Sequence, residues 1–557
     1  MCPRYRHWAS LVIILATVWT LVQPAAAEDL TSEKVRKAIE KGVAFLKRKQ
    51  NPNGGWDDAV PMFPSMPKGV TSLCTLALLN AGVPHDDECI QRAMKLLREQ
   101  KPSQTYSAAL NTMVLCIVDP TKDAALIARN VRFLEKIQIK GGPRKGAWSY
   151  TSADINSGDN SNAQFAVLAL YEAQRVGVKV DPAAWNMAYQ YWTKSQNQDD
   201  SWGYQRSGPD NDSGPGTGSM TCAGLASLLI CQSQINDGDA SIEGEEVQCC
   251  GAKLPHEKVE GALKWIGKTF TVHDNPSLVA NAGRGWHLYY LYGIERVGRL
   301  SGQRFLVGGD GEKRDWYREG TEKLLTMQKS NGEFQGKQAV EEKPEIGTSL
   351  ALLFISKGRR PVVIGKLQHG KGNDWNRHRA DVANLTTYVE GKWKKDFPIG
   401  LSWQVVDSKL ATVEDLLQSP VLLINGSTTL DISEEEIKRL RDYLDRGGLI
   451  VAEACCENSR QFDVSFRALM EKVFADRPEH RLKLLTADHP VWYAEERVAP
   501  DQQRPLLGID YGCRTSVIYA PPPRDGVDPP GNLSCYWELD SGSLRKRSDK
   551  IQQQIDG

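Results

Sequence analysis

The chain carries no excess charge of either sign: Lys+Arg and Asp+Glu each total 69 of 557 residues. That balance removes the long-range field that would draw a protein to nucleic acid or to an anionic membrane surface. Long apolar runs are absent after residue 27, so no later segment reads as a membrane-spanning helix. No two cysteine or histidine pairs stand at the spacing of a structural zinc site. Neither a metal nor a cofactor is therefore expected, and no nucleic-acid partner.

Beyond these absences, the length exceeds what one compact core supports, so two or more domains are expected. The first 27 residues read as a secretory signal. Arg4 and Arg6 precede an apolar run from Leu11 to Val22, and Ala25-Ala26-Ala27 supplies a small-residue cleavage site. The mature protein is then exported, periplasmic or at the cell surface. Cleavage removes Cys2 and leaves an odd number of the original 12 cysteines. Cys513 and Cys535 are placed to pair across a hairpin; other connectivity stays open.

A pattern first met at Ala38–Trp56 returns along the chain. Ala38, Gly42, Phe45 and Leu46 mark one face of a helix. Gln50 ends that face, Gly54-Gly55 turns the chain, and Trp56 follows. Glutamines recur at Gln100, Gln138, Gln196 and Gln328, with Trp148, Trp202 and Phe334 after three of the turns. A sixth copy around Trp265 keeps the helix and loses the glutamine. Between the turns lie apolar helices over 71–81, 107–118, 162–173, 220–231, 285–297 and 347–356. Six helix pairs alternating in this way are a repeat architecture, and two helix types suggest an outer ring around an inner one.

The Gln…Gly-Gly-Trp repeats resemble the squalene cyclase/prenyltransferase repeat family over about residues 33–358. The resemblance implies an all-α (α/α)6 toroid over residues 28–358, with inner-helix N-termini facing a central cavity. Near that rim fall Trp148, Asp154, Asp159, Asn160, Asn162, Gln164, Trp202, Asp210, Asp212, Trp286 and His287, the expected binding cavity.

After Lys357 the composition turns to α/β. Strand-like runs at 361–364, 421–424, 449–452 and 515–519 alternate with helices, notably 433–445, where Ser433 and Glu436 form a capping box. Residues 359–540 are expected to form this second domain. From about Asp374 to Trp537, on Asp374-Trp375, Leu385-Thr386, Leu430–Glu453, Phe462–Phe474 and Asp488-His489-Pro490, it resembles an uncharacterised bacterial domain often fused to such toroids and related in fold to class I glutamine amidotransferases. That implies a mainly parallel, flavodoxin-like sheet. Residues 541–557 form a polar tail.

The catalytic signals are incomplete. Cyclases of the resembled family use an Asp-x-Asp-Asp run as the proton donor. The matching place reads Asp159-Asn160-Ser161-Asn162, and a hydroxyl cannot protonate an alkene near neutral pH. His85, Asp87 and Cys89 cluster at the start of an outer helix, where cap and packing roles are expected. Cys249, Cys250 and His256 form a second group without a further ligand pair. In the second domain Cys455 and Cys456 follow a strand, where an amidotransferase-like fold places its nucleophile, and His489 is the available base. Glu453, Ala454 and Glu457 replace the small residues of such an elbow, and Val491 replaces the glutamate after His-Pro.

The expected function is therefore binding or scaffolding in the cell envelope, with an envelope protein, a glycan or an isoprenoid as partner. The alternative is an enzyme: a terpenoid-cyclase-like or sugar-processing toroid, or a thiol hydrolase in the second domain.

Overall fold

A computed structural model describes residues 30–539, apart from 57–65, 67, 152–157, 205–213, 236–239, 244–245, 249–256, 280–284, 398–399, 457–458, 495–496, 501–502 and 524–531. Residues 1–27, the expected signal, and Asp154, Asp210, Asp212, Cys249, Cys250 and His256 lie outside the described residues. No helix among the described residues is long and apolar enough to cross a membrane.

Twelve α-helices occupy Ser32–Ile355 among the described residues. They are α1 (Ser32–Lys49), α2 (Gly69–Asn80), α3 (Glu88–Glu99), α4 (Thr105–Val118), α5 (Ala124–Ile137), α6 (Asn160–Arg175), α7 (Pro182–Lys194), α8 (Gly218–Gln234), α9 (Glu257–Thr269), α10 (His287–Ser301), α11 (Trp316–Met327) and α12 (Pro344–Ile355). Short strand pairs interrupt them, β1 (Ser241–Glu243) with β2 (Glu246–Gln248) and β3 (Leu306–Val307) with β4 (Lys313–Arg314). The odd-numbered helices are mostly amphipathic, whereas α2, α4, α8 and α12 are apolar on nearly every side. A helix apolar all round must be surrounded by others. Each even-numbered helix packs on the next, α2 on α4 through to α10 on α12, and α12 packs back on α2.

The repeated glutamines fasten neighbouring helices. Gln50 Nε2 donates to Gly54 O in its own turn (2.9 Å) and to Cys89 O in α3 (2.8 Å). Gln138 reaches Gly146 and Ala184 in α7, and Gln196 reaches Asp200 and Lys258 in α9. Gln328 Nε2 donates to Gly332 O and to Ala38 O in α1, which ties the last repeat to the first. The tryptophan indoles point back at the preceding helix: Trp56 Nε1 to Leu46 O (2.9 Å), Trp148 to Leu134 O (2.8 Å) and Trp202 to Trp192 O (3.1 Å). Gln100 has no tryptophan after its turn. There Asn111 Nδ2 donates to both Leu97 O and Gln100 Oε1 (2.9 Å each).

The C-terminal part is built on a seven-stranded sheet. The strands are β5 (Val362–Gln368), β6 (Ser402–Asp407), β7 (Val421–Gly426), β8 (Leu449–Ala454), β9 (Lys483–Leu484), β10 (Leu507–Tyr511) and β11 (Arg514–Ala520). The helices are α13 (Asp381–Lys392), α14 (Val413–Leu416), α15 (Glu434–Asp445), α16 (Arg460–Val473) and α17 (Leu533–Glu538). In the order β6-β5-β7-β8-β11-β10-β9, neighbours from β6 through to β11 are parallel, and β10 is antiparallel to both β11 and β9. The capping box at Ser433 and Glu436 is formed. An edge strand left bare would invite pairing with another chain. Here β6 is covered, since Val405 N donates to Gly302 O (2.6 Å) and Arg304 N donates to Val405 O (3.2 Å).

Candidate functional site

Two places gather chemistry. The first lies at the starts of the even-numbered helices α6 and α10. Asp159 caps α6: its Oδ1 accepts from Asn162 N (2.9 Å), Asn162 Nδ2 (3.0 Å) and the Ser161 hydroxyl. Asn160 is engaged on both ends, by Gly203 O and by the Tyr191 hydroxyl. Gln164 Oε1 accepts from Tyr289 (2.6 Å). Asn162 Oδ1 and Gln164 Nε2 are buried and have no partner among the described residues.

Aromatic rings gather near these groups. Tyr106 stands 4.8 Å from Phe165 and 5.9 Å from Tyr150, and Trp286 is 6.3 Å from Tyr289. Tyr150 is 41% exposed. Tyr106, Tyr204 and Trp286 are half-buried. Burial, with the Asp159 charge adding to it, pushes the Tyr106 and Tyr150 hydroxyls up, so they stay protonated donors. Trp148 and Trp202 are fully buried staples rather than members of this open surface. His287 Nε2 meets Val272 O at 2.9 Å, and burial lowers its pKa.

Glu341 closes the start of α10 from below. Its carboxylate accepts from Leu288 N (3.1 Å) and Tyr289 N (2.7 Å). Burial nevertheless pushes it up to about 7 from an ordinary 4.5. The folded state thus holds this proton more tightly than the unfolded chain. Its stabilising effect is complete below about 4.5 and is lost as pH rises through about 7. Chemical denaturation across that window is expected to show stability falling with pH, and Glu341→Gln should flatten the slope.

The second place is the carboxyl end of the parallel strands, where open α/β sheets present their crevice. Lys366 in β5 is 1% exposed, as is Asp381 at the start of α13, and they pair at 2.8 Å. Lys366 Nζ also donates to Asn376 Oδ1 (3.1 Å) and His378 O (2.5 Å). Asp374 accepts from Ser427 N and Thr428 N (2.9 Å each) and from both of their hydroxyls. These donors and Arg377 hold it well below the ordinary carboxylate range despite partial burial. Glu453 receives the backbone N–H groups of Leu533 and Ser534, which docks α17 over the strand ends.

Cys455 and Cys456 follow the end of β8, both buried. The imidazole beside them is His378, with Nε2 at 3.5 Å from Cys456 Sγ and 3.8 Å from Cys535 Sγ. His489 is engaged elsewhere, by Thr515 Oγ1 (3.0 Å) and Val491 N (3.2 Å). Cys456 and Cys535 are both disulfide-bonded. Cys513 is free and exposed at the β10–β11 turn, so the Cys513–Cys535 pairing expected from the sequence does not form. A disulfide sulfur is no nucleophile of the thiolate kind, and burial raises the free Cys455 thiol far above its usual range. His378 was not legible in the sequence, because it lies 78 residues from Cys456 and belongs to no spaced motif.

The other candidate group has a structural role. Asp87 caps α3 through Cys89 N (3.0 Å) and pairs with Lys47 (2.5 Å), while burial pushes the Cys89 thiol up to about 11.

No curated protein matches the chain. A family model described as a domain of unknown function (DUF4159) matches residues 363–553, the part that holds the strand-end cluster.

Proposed function

We propose that this is an exported, non-catalytic binding protein of the cell envelope, whose helical half is an (α/α)6 toroid of the squalene cyclase/prenyltransferase repeat type. Cyclic packing of the even-numbered helices and the Gln328–Ala38 link support the toroid. The C-terminal half is read as a relative in fold of the amidotransferases, with its thiol chemistry lost.

The observation that carries the reading is the state of Asp159. Its Oδ1 is committed to three donors of its own helix start, which is the geometry of a cap. Ser161 stands where a cyclase would hold its central acid. The surface around this cap combines partly exposed tyrosine and tryptophan faces with buried amide groups still able to bond. Apolar ring faces beside hydroxyl and amide groups match the alternating character of a sugar chain. An isoprenoid would call for a dry chamber, and a ring exposed to 41% at Tyr150 does not make one.

Titration of the protein with soluble envelope oligosaccharides, followed by tryptophan fluorescence, is expected to saturate. Tyr150→Ala should weaken Kd about 2- to 10-fold at an unchanged melting temperature. Absence of saturable binding would overturn the reading. So would turnover of a glycan or isoprenoid by the wild type that Asp159→Ala abolishes.

A further inference from the structure

Two sulfurs and one imidazole converge at the end of β8, with a third sulfur, from Cys535, 3.8 Å from the same imidazole, and the binding reading above makes no use of them. In an extended strand Cys455 and Cys456 would point to opposite faces. The left-handed backbone at Cys456, with φ +70°, breaks that alternation. As a result the sulfurs of Cys455 and Cys456 and a ring nitrogen of His378 lie within 4.8 Å of one another. Cys535 enters from α17 and faces the same His378 Nε2.

The spacings have a chemical meaning. Zinc bound to sulfur at about 2.3 Å and to imidazole nitrogen at about 2.0–2.1 Å sets tetrahedral N···S edges of roughly 3.5 Å. The two N···S separations here are 3.5 and 3.8 Å. His378 is fully buried, and its Nδ1 has no hydrogen-bond partner among the described residues. Cys455, Cys456 and Cys535 are buried as well. Two of the four groups, Cys456 and Cys535, are held as disulfides and cannot bind a metal in that form.

We propose that Cys455, Cys456, Cys535 and His378 form a redox-gated Cys3His zinc site, closed while Cys456 and Cys535 are in disulfides and opened by their reduction. Each disulfide broken takes two electrons and two protons from a small dithiol, which is itself oxidised to a disulfide. The three thiols then bind Zn2+ through sulfur and release three protons to solvent, while His378 supplies the lone pair of Nε2. The bound ion clamps α17 to the end of β8.

The test uses the full chain. Protein as purified and protein reduced with dithiothreitol are desalted anaerobically and titrated with zinc alone. Zinc is expected to bind the reduced protein at one ion per chain and the oxidised protein not at all. Cobalt in its place should give the strong ligand-field bands of tetrahedral thiolate coordination. Cys455→Ser and His378→Ala should each lower zinc affinity by about 100-fold, since loss of even an outer-shell partner costs about 10- to 100-fold. Cys455→Ser leaves the disulfides in place, so the melting temperature of its oxidised form reports whether the variant folds. Failure of reduced protein to bind zinc would overturn the proposal. So would equal binding by oxidised protein, or undiminished affinity in both variants.

Discussion

Asp381→Ala should lower the stability of the C-terminal half by about 3–5 kcal/mol, the usual cost of orphaning one member of a buried ion pair. Asp381 accepts from Lys366 Nζ with both oxygens, at 2.8 and 2.9 Å, and neither side chain is more than 1% exposed. Removing the carboxylate leaves an ammonium with only the Asn376 amide oxygen and the His378 carbonyl as partners. The reverse change, Lys366→Met, should be milder. Burial already pushes the Asp381 carboxyl up, so without its cation it can take a proton and become neutral. Its cost should therefore shrink at acidic pH, whereas that of Asp381→Ala should not. Urea denaturation followed through the C-terminal transition measures both. The paired replacement Lys366→Met with Asp381→Leu is expected to recover most of the loss, because no charge is then stranded. A loss below 1 kcal/mol for Asp381→Ala would show that water reaches Lys366.

Trp202→Ala should cost about 3–5 kcal/mol in the helical half, the range for emptying a core site of this size. Trp202 is fully buried. It donates its indole N–H to Trp192 O at 3.1 Å, and its backbone N–H meets Thr221 Oγ1 at 3.2 Å. Trp202→Phe keeps most of the volume and loses one hydrogen bond, so about 1 kcal/mol is expected. The last repeat already carries that exchange: Phe334 is fully buried, and its backbone N–H meets Thr348 Oγ1 at 2.9 Å. The same tryptophan explains Gly224. A Cβ there would stand 2.4 Å from the Trp202 ring, so Gly224→Ala forces the ring out of its place. Thermal melts of the three variants should rank Trp202→Phe well above the other two.

The helical half was legible because its signals are local. A glutamine, a glycine turn and a tryptophan sit within a few residues, and each repeat restates them. The twelve helices fall where the periodicity puts them, within a few residues at the starts of the even-numbered ones. In the second half the strands at Val421 and Leu449 were legible as continuous apolar runs. Ser402–Asp407 was not, because Trp403, Gln404 and Asp407 break its apolar run, and its neighbours in space are a strand and a loop distant in sequence. The site chemistry was less legible still. That Asp159 is a cap follows from its position before α6. That His378, and not His489, faces the cysteines is decided by the chain after β5, the end of β8 and α17 meeting at the carboxyl ends of the strands, and no spacing in the sequence encodes it.

The bond from Gln328 to Ala38 changes what kind of repeat protein this is. A linear array of helix pairs has two terminal units, each with one unmatched neighbour, and melting starts by fraying there. With its last pair fastened to its first, the helical half has no such units. Every pair then has two neighbours, the loss of any one exposes two interfaces, and the half is built to melt as a whole.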